Sequence, residues 1–291
     1  GVIVDTHGAN HFTSYAGVAA DVWDLEWSYG NDVNFAPLIY SEYQGWDTAI
    51  QVQNLNTTHS AKAKVYFLDR SGDVITTLVD WICPRGSQTF FLPLIDAIPG
   101  NWVGSARVES QEWVTPGGPL GDPPRIASVV MLEKFADPQR TTRREAVAYN
   151  GQSDCLLYEW QVGAGNGGTQ SGSAVFAVPL VAKDYRGITT ELAITNLVPK
   201  PGFTDFALFI YDQNGLLDWV CQKLNEKQVE YIDLTTWGAI NPRFMGSAVV
   251  SAVFWEHDVF DGSGQFERNL VGLGGVAVER IGGTLGGDDG P

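Results

Sequence analysis

The chain has 291 residues, of which 44% are hydrophobic and 18% charged, enough apolar content for packed cores and a length that suits two domains. Asp and Glu number 34 against 18 Lys and Arg, giving a net charge of −16; nucleic-acid binding needs a basic footprint, and this balance argues against it. The longest apolar run, residues 246–255, is about half of the roughly 20 residues a bilayer helix requires, so no transmembrane segment is expected.

No signal peptide is visible at Gly1, as expected of a mature chain or processed fragment. The chain opens with an apolar strand, Val2-Ile3-Val4-Asp5, a loop, and Tyr15-Ala16-Gly17. His7 and His11 have i, i+4 spacing beside Asp5, but that spacing aligns ligands on a helix and this segment reads as strand and loop. Residues 49–53 and 63–67 alternate apolar and polar side chains, the period of a half-buried strand. The turn Asp69-Arg70-Ser71-Gly72 joins residues 63–67 to a strand at 74–81. Asp starts such a turn by bonding its own backbone, and Gly ends it at positive φ. Further strands are expected at 89–92, 103–108 and 126–132, with short helical turns at 94–97 and 234–237.

A second copy of this pattern follows. Pro37-Leu38 matches Pro179-Leu180, Tyr43-Gln44-Gly45 matches Tyr185-Arg186-Gly187, and Thr48, Asn54 and Leu55 match Thr190, Asn196 and Leu197, all 142 residues apart. Asp69 and Gly72 match Asp212 and Gly215. Trp81-Ile82-Cys83 matches Trp219-Val220-Cys221 across a short deletion. Gly104-Ser105-Ala106 and Trp113 match Gly246-Ser247-Ala248 and Trp255. Outward, Glu133-Lys134 corresponds to Glu279-Arg280, and Tyr15-Ala16-Gly17 and Trp27 to Tyr149-Asn150-Gly151 and Trp160. The expected fold is all-β, two tandem β-sandwich domains from an internal duplication. A lead-in segment occupies 1–34, repeat 1 residues 35–148, an inter-repeat segment with a Gly-rich linker 149–175, repeat 2 residues 176–281, and a disordered tail 282–291.

The string Pro-Leu, Tyr-x-Gly-Trp-x-Thr, Val-Gln-Asn, Tyr-x-x-Asp-x-x-Gly and Gly-Ser-Ala-x-Val resembles a tandem Ig-like β-sandwich repeat of secreted and cell-surface bacterial proteins. A Tyr-Asn-Gly segment typically begins each repeat, as at residues 149–151. The second copy departs at Ile188, where the first has Trp46, and the first has Ala16 in place of Asn. The resemblance implies the fold and an extracellular or cell-surface location; it implies no activity.

No nucleophile elbow, zinc-protease motif or phosphate-binding loop occurs, so no catalytic residue, metal or cofactor is expected. Trp81 and Trp219 are expected in the cores. Cys83 and Cys221 lie two residues after them on the same strand face, so each is expected to face its own core, with Cys155 as the alternative disulfide partner of either. The element Val2-Ile3-Val4-Asp5, loop, Tyr15-x-Gly17 repeats the element that closes repeat 1, whereas the chain's end lacks its equivalent. The expected function is therefore a non-catalytic extracellular structural protein. It would self-assemble head-to-tail into a filament, sheath or surface array by N-terminal strand donation. The expected interface comprises Val2, Ile3, Val4, Tyr15, Gly17, Val276 and Val278, with the basic loop residues Arg140, Arg143 and Arg144 beside Lys134 meeting an acidic surface. Asn56-Thr57-Thr58 fits the glycosylation pattern. The alternative is a monomeric adhesin or carbohydrate-binding module for cell-surface glycans, using the unshared Trp23, Trp46 or Trp237.

Overall fold

The computed structural model describes residues 2–6, 12–16, 33–111, 125–135, 139, 143–153, 158–161, 175–185, 187–197, 202–257 and 268–281. The chain is all-β. It divides into two units, Gly1–Cys155 and Leu156–Pro291. Residues 149–155, expected between the repeats, group with the first unit.

The first unit contains β1 (Val2–Thr6), β2 (Phe12–Ala16), β3 (Val33–Ser41), β4 (Trp46–Asn54), β5 (Ala61–Leu68), β6 (Val74–Ile82), β7 (Ser87–Phe91), β8 (Trp102–Ser110), β9 (Ile126–Phe135), β10 (Arg143–Asn150) and β11 (Gln152–Ser153). Two antiparallel sheets, ordered β10-β9-β4-β7 and β11-β3-β8-β5-β6, make a sandwich-like body. The second unit contains β12 (Tyr158–Gln161), β13 (Val175–Lys183), β14 (Ile188–Asn196), β15 (Gly202–Asp212), β16 (Gly215–Asn225), β17 (Val229–Asp233), β18 (Phe244–His257), β19 (Arg268–Val271) and β20 (Leu273–Ile281). Its main sheets run β17-β14-β20 and β13-β18-β15-β16. The order β7-β4-β9 in one unit matches β17-β14-β20 in the other, and β3-β8-β5-β6 matches β13-β18-β15-β16.

The period-2 patterns explain the layers. In β5, Ala61, Ala63, Val65 and Phe67 are buried while Lys62, Lys64 and Tyr66 face outward. In the second unit Leu192 and Ile194 from one sheet and Phe206, Leu208, Ile210, Ala248 and Val250 from the other share one core. The hairpin turns form as their chemistry dictates. The Asp69 carboxylate accepts from the N–H groups of Ser71 and Asp73 (2.8 and 3.0 Å), and Gly72 and Gly215 hold φ of 90° and 124°. A short 3-10 turn spans Leu234–Thr236, as expected; its counterpart is Leu92–Leu94 rather than 94–97, because Pro93 sits in the first turn, where its missing N–H costs nothing.

Buried asparagines occupy matching places in the two units. Asn54 Nδ2 donates to the carbonyls of Ile82, Cys83 and His59 (3.1, 3.3 and 2.8 Å), and Asn196 Nδ2 to those of Leu224 and Asn225 (3.3 and 3.2 Å). Leu224 is therefore the counterpart of Ile82. This corrects the Trp-x-Cys match. Trp81 stands across from Lys62, whereas Trp219 stands across from Phe209, the position held by Tyr66 and its neighbour Thr77. The core expectation for these residues is also overturned. Trp81 is 47% exposed and Trp219 56%, and Cys83 and Cys221 are exposed free thiols. The reason is that Ile82, next to Trp81, and Leu224, an odd number of residues after Trp219, take the inward positions on β6 and β16, which are edge strands. Cys155 lies outside the described residues; because Cys83 and Cys221 are both free, neither is bonded to it. Trp113 and the side chain of Trp255 also lie outside the description.

A second register differs by one residue. Leu132 stands across from Thr48, but Glu279 stands across from Thr190. Val276 and Val278 accordingly pair with Ala193 and Glu191, on the face opposite Leu192 and Ile194, since one step along a strand reverses the face.

Candidate functional site

In the first unit one segment closes the sandwich. β10 pairs with β9 from Arg143 opposite Phe135 to Asn150 opposite Val129. The chain then passes Gly151 and joins the other sheet, where Gln152 pairs with Phe35 of β3. The crossing is tight. A Cβ on Gly151 would lie 1.9 Å from Ser128 Oγ, which donates to Asn34 Oδ1 at 3.0 Å. The Gly151 N–H donates to the Ser128 carbonyl at 2.8 Å.

Tyr149 anchors this strap. β3 carries a bulge between Ala36 and Ile39, which takes the N–H and C=O of Leu38 off the ladder to β8. The Leu38 N–H donates to the Tyr149 hydroxyl at 3.2 Å, and that hydroxyl donates to the Leu38 carbonyl. Burial of the hydroxyl end pushes the phenol well above its usual range, and the bond to Leu38 pulls it partly back. A pKa raised on folding means that the neutral phenol stabilises the unit fully below about pH 10, with the contribution falling as pH rises past that value. Tyr149→Phe leaves two buried backbone groups without a partner, so it should cost the first unit about 1–3 kcal/mol and flatten its alkaline loss of stability. Denaturant unfolding at pH 7 and pH 10.5 checks both.

The second unit has the same bulge, between Val178 and Val181 of β13, but no strap over it among the described residues. Leu38 is 1% exposed; its counterpart Leu180 is 43% exposed. Val175, Ala177 and Pro179 are exposed beside it. β9 has β4 on one side and β10 on the other, while β20 has β14 on one side and no described strand on the other. The outer sides of β13 and β20, against which no described strand lies, outline a slot of the kind β10 and β11 fill in the first unit.

The outer face of β15, β16 and β18 differs from the matching face of the first unit. In the first unit the Lys64 ammonium lies 4.4 Å over the Tyr66 ring, the Tyr66 hydroxyl donates to Glu109 (3.0 Å), and Arg107 pairs with Glu109 (2.7 Å). The pairing registers put Ala207, Phe209, Val249 and Ser251 at those four positions in the second unit. Phe209 stacks on Trp219 with centroids 6.5 Å apart, and Phe203 meets Phe254 at 5.7 Å. Trp219 and Phe254 are more than half exposed. The Lys223 ammonium lies 3.5 Å over the Phe203 ring, so the exposed rings are edged by charge.

Of the residues expected at the interface, Val2, Ile3 and Val4 lie in β1 opposite Ala16, Tyr15 and Ser14 of β2. This register repeats that of β9 and β10: Ile3 faces Tyr15 as Val130 faces Tyr149, and Val2 faces Ala16 as Val129 faces Asn150. β2 lies beside β10 without joining its ladder. Gly17 and Arg140 lie outside the described residues. Arg143 opens β10, Arg144 falls at the irregularity that follows, and Lys134 ends β9 with its ammonium 5.7 Å over Trp46. Val276 and Val278 lie on the open-edged strand β20.

Trp46 is buried. Trp237 packs against the core of the second unit and donates its indole N–H to Asp218 (2.6 Å). Both are packing residues, and Trp23, like Trp27, lies outside the described residues. The Asn56 side-chain oxygen accepts from the N–H groups of Thr58 and His59 (2.8 and 2.7 Å) and so holds its loop together. The His7, His11 and Asp5 side chains are not among those described; among those that are, no three His, Cys, Asp or Glu groups converge to hold a metal. No helix among the described residues is long and apolar enough to cross a membrane.

Leu180 and the apolar face were not anticipated. Their signal lay in a comparison of the two copies at matched positions, where Tyr66 gives way to Phe209 and Arg107 to Val249. Neither a family model nor a curated protein matches this chain.

Proposed function

We propose that the protein is a non-catalytic, extracellular structural protein that assembles with copies of itself head-to-tail. The observation that carries this reading is the difference between the units: β11 and β10 pair with β3 and β9, whereas no described strand pairs with the outer side of β13 or β20. The edge of a sheet is where a further strand can be added. A contact between unlike surfaces that does not close produces a filament. The extracellular setting rests on the resemblance of the motifs to repeats of bacterial surface proteins.

The test is sedimentation of the full chain over a range of concentrations, with electron microscopy of the largest species. Filaments or sheets with a repeat near the length of one subunit are expected. A single monomeric species at every concentration overturns the proposal. Lys134, Arg140, Arg143 and Arg144 cluster in the sequence of a chain whose net charge is −16, so raising the salt from about 0.05 to about 0.5 M should weaken assembly; sedimentation at both salts reads this, and insensitivity counts against a role for that cluster.

A second reading is a monomeric glycan-binding module, favoured by the exposed aromatic face of Phe203, Phe209, Trp219 and Phe254. It requires saturable binding on a glycan array that Trp219→Ala reduces at least tenfold without any change in oligomeric state.

A further inference from the structure

We infer that β16 is a dimerisation edge: β16 of one copy pairs antiparallel with β16 of a second copy, about a two-fold axis through Cys221. This contact goes beyond the head-to-tail assembly proposed above and does not depend on it.

The register of the sheet sets which backbone groups lie along this edge. The Glu226 N–H donates to the Gly202 carbonyl at 3.1 Å, and antiparallel ladders alternate bonded and non-bonded pairs. Continuing from that pair, Leu224, Gln222 and Val220 turn their backbone groups toward β15, opposite Thr204, Phe206 and Leu208. Trp219, Cys221 and Lys223 therefore turn theirs away from β15. β16 is the last strand of its sheet, and the side chains of these same three residues are exposed on its outer face. The devices that protect an edge strand are weak here. β16 is 11 residues long and contains no proline, and its bulge lies at the hairpin end, where Ile210 and Tyr211 face Asp218 and Leu216. The matching edge of the first unit is better protected: the N–H of Trp81, the counterpart of Lys223, donates to the Asp80 carboxylate at 2.7 Å.

The strand is complementary to itself. With the axis at Cys221, residues 218–224 overlap the same residues of the second copy, and each Lys223 stands opposite the second copy's Trp219. Opposed side chains on one face lie about 4.5–5.5 Å apart at Cβ, so each ammonium, already 3.5 Å over Phe203, gains a second ring. No like charges are opposed, because Asp218 faces Leu224. Moving the axis to Val220 puts Lys223 opposite Leu217, and moving it to Gln222 puts Lys223 opposite Cys221; neither gives the cation a ring. On the axis the two Cys221 residues form a bonded antiparallel pair, with Cα atoms about 5.5 Å apart, within the span of a disulfide. Cys221 is a free, exposed thiol. Exchange with oxidised glutathione can join the copies: one Cys221 thiolate attacks the glutathione disulfide and releases one glutathione thiol, and the second copy's Cys221 displaces the other.

The test uses the full chain with Cys83 and Cys155 changed to Ser, oxidised glutathione as the oxidant, and non-reducing electrophoresis as the readout. Cys221 should give a covalent dimer and nothing larger. Its yield should be at least tenfold above that obtained when the lone cysteine is moved by Cys221→Ser and Asn225→Cys, because residue 225 then lies about 27 Å from its equivalent in the second copy. Equal yields from the two positions would mean random collision and overturn the inference. Trp219→Lys opposes lysine to lysine on both sides of the axis and should cut the Cys221 yield at least tenfold. The swap of Trp219→Lys with Lys223→Trp restores the opposed pair and should recover the dimer, which separates pairing from folding. An unchanged yield with Trp219→Lys, or no recovery with the swap, overturns the inference. Each chain carries one thiol, so the readout is the same whether or not head-to-tail filaments form. Filaments without the Cys221 dimer would leave the assembly proposal standing and remove this contact.

Discussion

Gly104→Ala and Gly246→Ala are each expected to destabilise their own unit by about 3 kcal/mol, the upper part of the range for overpacking a buried site. The two glycines occupy matching positions on β8 and β18, just past the bulges of β3 and β13. A Cβ on Gly104 would lie 2.3 Å from the Leu68 carbonyl oxygen and 2.3 Å from the Trp102 ring; on Gly246 it would lie 2.0 Å from the Tyr211 carbonyl oxygen and 2.5 Å from the Phe244 ring. In each case an aromatic ring two residues earlier lies over the glycine and fills the space a side chain would take, the arrangement by which sheets rescue a glycine. A flexible side chain could move aside; a backbone carbonyl in a sheet cannot without breaking the ladder. Gly238→Ala is the internal control, because nothing lies within 4 Å of its Cβ position. Denaturant midpoints of the three variants check the expectation. A loss below about 0.5 kcal/mol for Gly246→Ala, the size of an ordinary surface substitution, would show that β15 and β18 can separate locally without penalty.

These glycines also show which parts of the structure the sequence made legible. Among the residues that recur at a spacing of 142 are several that geometry or hydrogen bonding constrains: Gly45 and Gly187 at φ of 82° and 78°, Asn54 and Asn196 tied to strand-end carbonyls, Gly104 and Gly246 under their rings. Thr48 and Thr190 belong to the same set; each accepts a backbone N–H, from Tyr40 at 2.7 Å and Ala182 at 2.8 Å. From that set the strands and their order could be read. Identity without such a constraint misled. Trp-x-Cys occurs in both copies, yet the ladders place the two occurrences four positions apart, and both face solvent. The β20 register was out of reach for a related reason: alternation in Val276-Ala277-Val278 fits either face, and only pairing with β14 chooses between them. The slot was legible only in outline. A Tyr-x-Gly segment could be seen to precede and follow the first repeat, but the bulge at Leu38 that receives Tyr149, and hence the exposure of Leu180, exists only once β3 and β8 are paired. The apolar face lies at positions where the two repeats differ, such as Tyr66 and Phe209, so the shared residues carry no sign of it.

Removing residues 1–17 is expected to abolish assembly, with at least a hundredfold rise in the concentration at which oligomers form. That factor corresponds to about 2.7 kcal/mol, modest for a strand that adds several ladder bonds and covers Leu180. The truncation should leave the first unit folded, because its sandwich is closed by β10 and β11, which pair with β9 and β3 independently of β2; an unfolding curve within about 0.5 kcal/mol of the full chain verifies this. The informative experiment mixes the two forms. A truncated chain keeps the slot between β13 and β20 but carries no strand to donate, so it can accept an intact neighbour and cannot be accepted by one. It should therefore terminate growth, and mean filament length, measured by electron microscopy, should fall in proportion as its mole fraction rises. Copies that associate through the aromatic face of Phe209, Trp219 and Phe254 instead would incorporate truncated chains without shortening, and the slot would then have no part in the contact. Unchanged assembly of the truncated chain by itself would remove strand donation altogether and leave that face as the surface to mutate.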